Sequence, residues 1–270
     1  MISLVILVLL IALVMINVPI GIAIGSVALA GMVYTSDIDT IYNAGLSMFE
    51  GASKFTLLSI PLFVFAGSLM NTGGISLRLI NFVNSLVGFV RGGLSMVNVG
   101  VSMIFAEISG SAVADVAALG SILIPAMKKR GYSSSFSAAV TSSSASLAVI
   151  IPPSLPMIIY GAMADVSITK LFIAGIVSGL MGAAGMFALC YYYAVKYDLP
   201  REEAFSFRKV WKAFIDAFWA LTLPFAILGG ILSGLMTATE AAGIAVVLAL
   251  LISIFIYKEM DIKTFYKALV

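Results

Sequence analysis

AEISGSAVADVAALG, residues 106–120, interrupts an apolar chain with Glu107, Ser109, Gly110, Ser111 and Asp115. Apolar runs flank it at 93–107 and 111–127, and both are short for a bilayer crossing, which takes about 20 residues. Arg91 precedes the first run and Lys128-Lys129-Arg130 follows the second. Basic residues gather on the cytoplasmic side, so both ends of the pair belong on one face. The stretch therefore predicts a re-entrant helical hairpin, 93–127, with Ser109-Gly110-Ser111 at its tip. Two thin full spans are the alternative.

A tip of this kind brings a helix C-terminus, with unpaired carbonyls, beside a helix N-terminus, with unpaired N–H groups. The first suits a cation and the second an anion. Serine hydroxyls serve either, Gly110 lets the backbone turn or approach a ligand, and Asp115 falls in the first turn of the second arm. The plainer reading is that Ser109 or Ser111 only caps that arm.

The rest of the chain sets the context. Of its 270 residues 61% are hydrophobic and 10% charged, with mean hydropathy +1.14, whereas soluble domains are about a quarter charged. An all-α polytopic membrane protein follows. Fifteen basic and 13 acidic residues give net charge +2, no basis for binding nucleic acid. One cysteine, Cys190, and no histidine make an enzyme or a thiolate metal site a poor fit. The opening MISLVILVLLIALVMINV lacks a basic start and a small-residue cleavage site, and reads as a retained membrane segment rather than a signal peptide.

A second break lies in SSSASLAVIIPPSLP, 142–156. Pro152 and Pro153 supply no N–H and disfavour helix before them, which frees carbonyls on the preceding turn. Broken helices at membrane depth persist only where those groups meet protein, water or an ion, and oxygen ligands suit hard cations such as Na⁺. Facing the hairpin tip, with Ser154, this break would enclose one oxygen-lined site; the alternative is a kink for tight packing. A third break, GGILSGLMTATEAAG at 229–243, offers Thr237, Thr239 and Glu240, with Thr239 as a possible cap of the following helix and Glu240 complementing its dipole. Glu107, Asp115 and Glu240 are acids within apolar stretches, which marks them as functional candidates. Arg130 reads either as a carboxylate partner or as a topology-setting charge.

Placing the basic runs inside gives a layout. Scaffold helices occupy 2–73, with 36–54, including Asp37 and Asp39, outside. The hairpin 93–127, a broken helix 133–164, a helix 167–195 and a cytoplasmic arm 196–213 complete a first repeat, 1–213. Residues 214–270 start a second repeat of opposite topology. Inverted repeats with discontinuous helices are how many secondary transporters build midplane sites. The second repeat is incomplete, and the chain reads as a fragment of a longer protein.

Three stretches carry a family resemblance: ISGSAVADVAALGSILIPAMKKRGY (108–132), VIIPPSLPMIIYG (149–161) and GGILSGLMTATEAAGIAV (229–246). The chain resembles the N-terminal part of the large membrane subunit of TRAP transporters. The resemblance implies a Na⁺-coupled, elevator-type importer in the bacterial or archaeal cytoplasmic membrane. It implies a small four-helix membrane subunit and a periplasmic substrate-binding protein as partners, and an organic acid as cargo, such as a C4-dicarboxylate or sialic acid. It implies a Na⁺ site of Ser109, Ser111 and backbone carbonyls near Ala148, Ile151 and Pro153, with Gly110, Asp115 and Ser154 close by. Ala148 stands where the family usually has glycine, and Glu107 where it has a small neutral residue. Rival readings are an elevator-type anion carrier without a binding protein and a membrane scaffold that only packs.

Overall fold

The computed structural model describes residues 2–35, 40–201 and 205–269, the side chains of 2, 35, 40–43, 107–109 and 114 excepted. Asp37 and Asp39, and the side chains of Glu107 and Ser109, lie outside the described residues. The described chain is helical; its one β-type contact is an isolated bridge between Arg91 and Arg201. Contacts divide it into two units, 1–54 and 55–270.

In the first unit, α1 (Ile2–Met15) and α2 (Ile20–Thr35) are separated at Asn17, whose φ is +65°, and Pro19; α3 spans Thr40–Ala52. α1 packs on α2 where the Ile6 side chain fills the notch at Gly31. Leu4, Val5, Val8 and Ile22 remain mostly exposed, surface that lipid rather than water would cover.

In the second unit a 3₁₀ turn, Phe55–Leu58, opens α4 (Ser59–Thr72), followed by α5 (Ile75–Val87). α5 is an element the sequence reading did not separate. It buries Ile75, Leu79 and Val83 along one stripe and turns Asn81 and Asn84 outward. The hairpin arms are α6 (Gly93–Ser109) and α7 (Ala112–Lys129), each a residue or two longer than expected and packed on each other. At 17 and 18 residues each arm is about 26 Å long. The expected broken helix is three pieces: α8 (Ser134–Ala145), a single turn α9 (Leu147–Ile150) and α10 (Leu155–Ala164). Ser133 caps α8 by accepting the Phe136 N–H.

α11 (Ile168–Lys196) runs 29 residues; α12 (Phe207–Leu232) begins seven residues before the expected start at 214. α13 (Ala238–Leu251) ends in a π turn, Ile252–Ile256, and α14 spans Ile262–Leu269. The Tyr257 hydroxyl enters the α12 ladder: it accepts the Ala220 N–H at 3.1 Å and donates to the Asp216 carbonyl at 3.0 Å. Arg78 of α5 stacks on the Tyr257 ring at 3.8 Å and pairs with Glu259 at 2.8 Å.

Among the described residues five helical stretches are long and apolar enough to cross a membrane: Phe55–Thr72, Ser134–Ala164, Ile168–Lys196, Phe207–Leu232 and Ala238–Ile256. α11 shows why. Only Phe172, Gly175, Gly179, Ala183, Cys190 and Ala194 are buried, while Val177 and Met181 stay 60% and 72% exposed. The basic stretches meet at one end of the second unit. Arg91 pairs with Asp198 at 3.2 Å, the Gly92 N–H donates to Pro200, and Phe136, just past Lys128-Lys129-Arg130, packs on Tyr193.

Candidate functional site

Gly110 seats the hairpin tip directly on the double-proline break. It terminates α6 in the left-handed region, φ +56°, with its N–H on the Ala106 carbonyl at 3.2 Å. Glycine is favoured at such a helix end because it has no Cβ to clash. Here a Cβ would lie 3.0 Å from Leu155 Cγ, 3.1 Å from the Leu155 N and 3.2 Å from the Pro153 carbonyl oxygen. The tip and the break, which the sequence reading faced toward each other, are in contact.

Several backbone and hydroxyl oxygens belong to the segments that meet here. Without N–H groups on Pro152 and Pro153, the carbonyls of Ala148 and Val149 have no helical donor four residues on. The Ser154 hydroxyl, fully buried, donates to Val149 at 2.6 Å and supplies one substitute. Ile151 is extended at the end of α9, and Ser154 at the start of α10. The Pro153 carbonyl oxygen lies beside Gly110. Ser111 stands immediately before α7, partly buried, and its carbonyl accepts the Asp115 N–H at 3.0 Å. Asp115 is 1% exposed in the first turn of α7, where the helix dipole favours a carboxylate. Among the described residues no group of three or more His, Cys, Asp or Glu side chains converges to hold a metal. Carbonyls and hydroxyls are the donor set of a hard cation, not of zinc or copper.

Two supports hold the junction, and neither was singled out in the sequence. The first is a glycine cradle on α11. A Cβ on Gly175 would fall 2.4 Å from the Ile150 carbonyl oxygen, and one on Gly179 2.5 Å from Ile151 Cγ1. G-x-x-x-G in an apolar segment was the available signal. The second is a buried polar ladder between α6 and α8. Asn98 Nδ2 donates to Thr141 Oγ1 at 2.7 Å, and the Ser102 hydroxyl donates to that of Ser144 at 2.9 Å. Ser144 approaches Asn98 Oδ1 at 3.3 Å and Thr141 donates to the Ser137 carbonyl at 2.8 Å. All five side chains are at most 1% exposed. The pairs 98–141, 102–144 and 110–153 run in one register, so α6 and α8 are parallel and reach the junction together. Within the serine-rich run, only Ser144 of Ser142, Ser143, Ser144 and Ser146 is buried.

Of the remaining candidates, three belong to the break and the others lie away from the junction. Ala148, Ile151 and Pro153 are buried at the break itself. Thr237, Thr239 and Glu240 form the α12–α13 break, whose Thr239 hydroxyl donates to Phe55 at 3.4 Å. The cap there is Thr237, not Thr239: Thr237 Oγ1 accepts the Glu240 N–H while the Glu240 carboxylate accepts the Thr237 N–H at 2.8 Å. Such a box needs the acid three residues after the cap, and only Thr237 meets that spacing. Arg130 follows α7, the full 18-residue length of that helix, about 27 Å, from the tip.

A family model described as tripartite ATP-independent periplasmic transporter, DctM component, matches residues 7–270. The chain is 40% identical over 241 residues to the 2,3-diketo-L-gulonate TRAP transporter large permease protein of Escherichia coli (strain K12), covering 89% of this chain and 57% of that protein. It is 37% identical over 269 residues to the C4-dicarboxylate TRAP transporter large permease protein of Rhodobacter capsulatus, covering 94% and 61%. It is 38% identical over 255 residues to the sialic acid TRAP transporter permease protein of Haemophilus influenzae (strain 86-028NP), covering 94% and 41%. The chain thus spans 41% to 61% of the length of these relatives.

Proposed function

The chain belongs to the DctM component family of tripartite ATP-independent periplasmic transporters, and on that premise we propose that it serves in the large permease of a Na⁺-coupled organic-acid importer. The observation that carries this reading is the seating of Gly110 on the Pro153–Leu155 segment. A scaffold that only packs has no use for deprived carbonyls and hydroxyls gathered at one junction. A coupling ion does, because its binding would tie the hairpin tip to the broken helix. The proposed ligands are the Ser109 and Ser111 hydroxyls and the carbonyls of Ala148, Ile151 and Pro153. The residues present fit Na⁺: the Pro153 carbonyl oxygen lies beside the tip, and helix ends offer neutral oxygen. When bound, Na⁺ supplies positive charge where a carboxylate cargo approaches; Asp115 is buried in the first turn after the tip.

Further parts of the reading follow from the family. The hairpin is taken as re-entrant, with its tip near the midplane and its open end at the basic, cytoplasmic face. The helix–break–helix–helix order of α1–α2–α3 returns in α12–α13–α14, which supports the inverted repeat and, with it, elevator motion. The partners are a small membrane subunit and a periplasmic binding protein, in the bacterial inner membrane. The cargo is a carboxylate or related organic acid, the class named for the C4-dicarboxylate and sialic acid relatives.

The test is uptake of a labelled organic acid by vesicles bearing the full-length large permease and the small subunit, with binding protein outside. The reading expects uptake only with an inward Na⁺ gradient and added binding protein. Uptake without Na⁺ would refute the coupling, and uptake without binding protein would point to a self-sufficient anion carrier.

A further inference from the structure

Arg130, far from the tip, lines a polar groove of about 370 Å³ between α5, the α7–α8 turn and the start of α12. We propose that this groove binds the phosphate headgroup of an anionic phospholipid. Arg130 enters from the turn and Lys209 from α12, and Asn81, Asn84 and Ser85 from α5 and Ser206 from the α12 N-cap add neutral groups. A guanidinium binds phosphate oxygens in pairs and an ammonium adds point charge. Amides and hydroxyls complete the hydrogen bonding.

The flanks of the groove select a lipid over a soluble anion. Phe89 and Phe205 line it, with ring centroids 5.0 Å apart. Beside it on α12, Phe207 and Trp211 stack at 6.5 Å and stay 71% and 56% exposed. The aromatic row continues to Phe214, which meets Phe82 of α5 at 5.9 Å. Tryptophan and lysine mixed on one helix turn mark headgroup depth, and an aromatic face beyond it accommodates acyl chains. Basic pockets between membrane helices recognise anionic headgroups by this combination. The groove joins α5, which leads into the hairpin, to α12, so an occupied site would brace the two.

The experiment is native mass spectrometry of the full-length large permease from micelles holding equal phosphatidylglycerol and phosphatidylcholine. The wild type retains phosphatidylglycerol selectively. Arg130→Gln with Lys209→Gln lowers the retention ratio about thirtyfold, and Arg130→Lys with Lys209→Arg restores most of it. Asn81→Leu with Asn84→Leu lowers it without changing charge. Lys263→Gln with Lys267→Gln on α14 removes equal charge and leaves the ratio unchanged, and unaltered melting in phosphatidylcholine shows that each variant folds. An unchanged ratio in the Arg130/Lys209 variant, an equal fall in the α14 control, or displacement of the lipid by millimolar inorganic phosphate would each overturn the assignment.

Discussion

Gly110 and Pro153 meet across the junction of the hairpin and the broken helix: a Cβ on the glycine would stand 3.2 Å from the proline carbonyl oxygen. The glycine also holds φ +56°. Gly110→Ala therefore meets two penalties, a left-handed alanine costing about 1–2 kcal/mol and a methyl group pressed on Leu155. The expected outcome is a correctly inserted protein whose Na⁺-dependent uptake is strongly reduced, with Gly110→Val worse. Uptake assays beside a melting curve check it; a fully active Gly110→Val protein would show that the contact is dispensable.

The α11 cradle makes a steric prediction of its own. Gly175→Ala puts a methyl within 2.4 Å of the Ile150 carbonyl oxygen, on backbone that has no rotamer with which to yield. Overpacking of this kind costs about 1–3 kcal/mol. Gly185, on the same helix, has open space at its Cβ position, so Gly185→Ala should leave the melting temperature unchanged. Equal melting of the two variants would contradict the cradle.

Asn98 ties α6 to α8 through Thr141 and Ser144. Asn98→Ala is expected to cost about 1–2 kcal/mol, since hydrogen bonds between membrane helices average somewhat under one and loss of a buried partner adds to that. Thr141→Val should cost less, and the double variant less than the sum of the two. Additive effects in the double-mutant cycle would show that the ladder is not a unit.

At the α12–α13 break, Thr237→Ala removes the cap and should destabilise by about 1 kcal/mol. Thr239→Ala removes only a 3.4 Å contact to Phe55 and should be nearly silent. Thermal melting distinguishes them, and the opposite order would restore the cap to Thr239.

Much of this architecture was legible in the residues. Gly110 between two serines, and two adjacent prolines in an apolar run, announce backbone groups that must be satisfied locally, so the hairpin and the break could be read directly. That the two face each other was also readable, because both interrupt neighbouring runs at similar depth. The cradle and the ladder were harder. Gly175, Gly179 and Asn98 look like ordinary small or polar residues until α6, α8 and α11 are brought side by side, and that pairing is a tertiary fact. The Thr237 cap was missed for a simpler reason: either threonine could head the helix, and the spacing to Glu240 decides between them. The early start of α12 at Phe207 was obscured by Arg208, Lys209 and Lys212, which by charge read as part of a cytoplasmic arm although they lie on a helix.

The claim at the centre is that the tip and the break together hold the coupling ion. Its most direct test is a Na⁺ titration of uptake by vesicles carrying the assembled transporter, with Ser109→Ala and Ser111→Ala introduced singly and together. The account predicts that each change raises the half-saturating Na⁺ concentration about tenfold, the equivalent of one lost oxygen ligand at about 1.4 kcal/mol, and that the pair abolishes Na⁺ dependence within the accessible range. Wild-type half-saturation and rate in the double variant would contradict it.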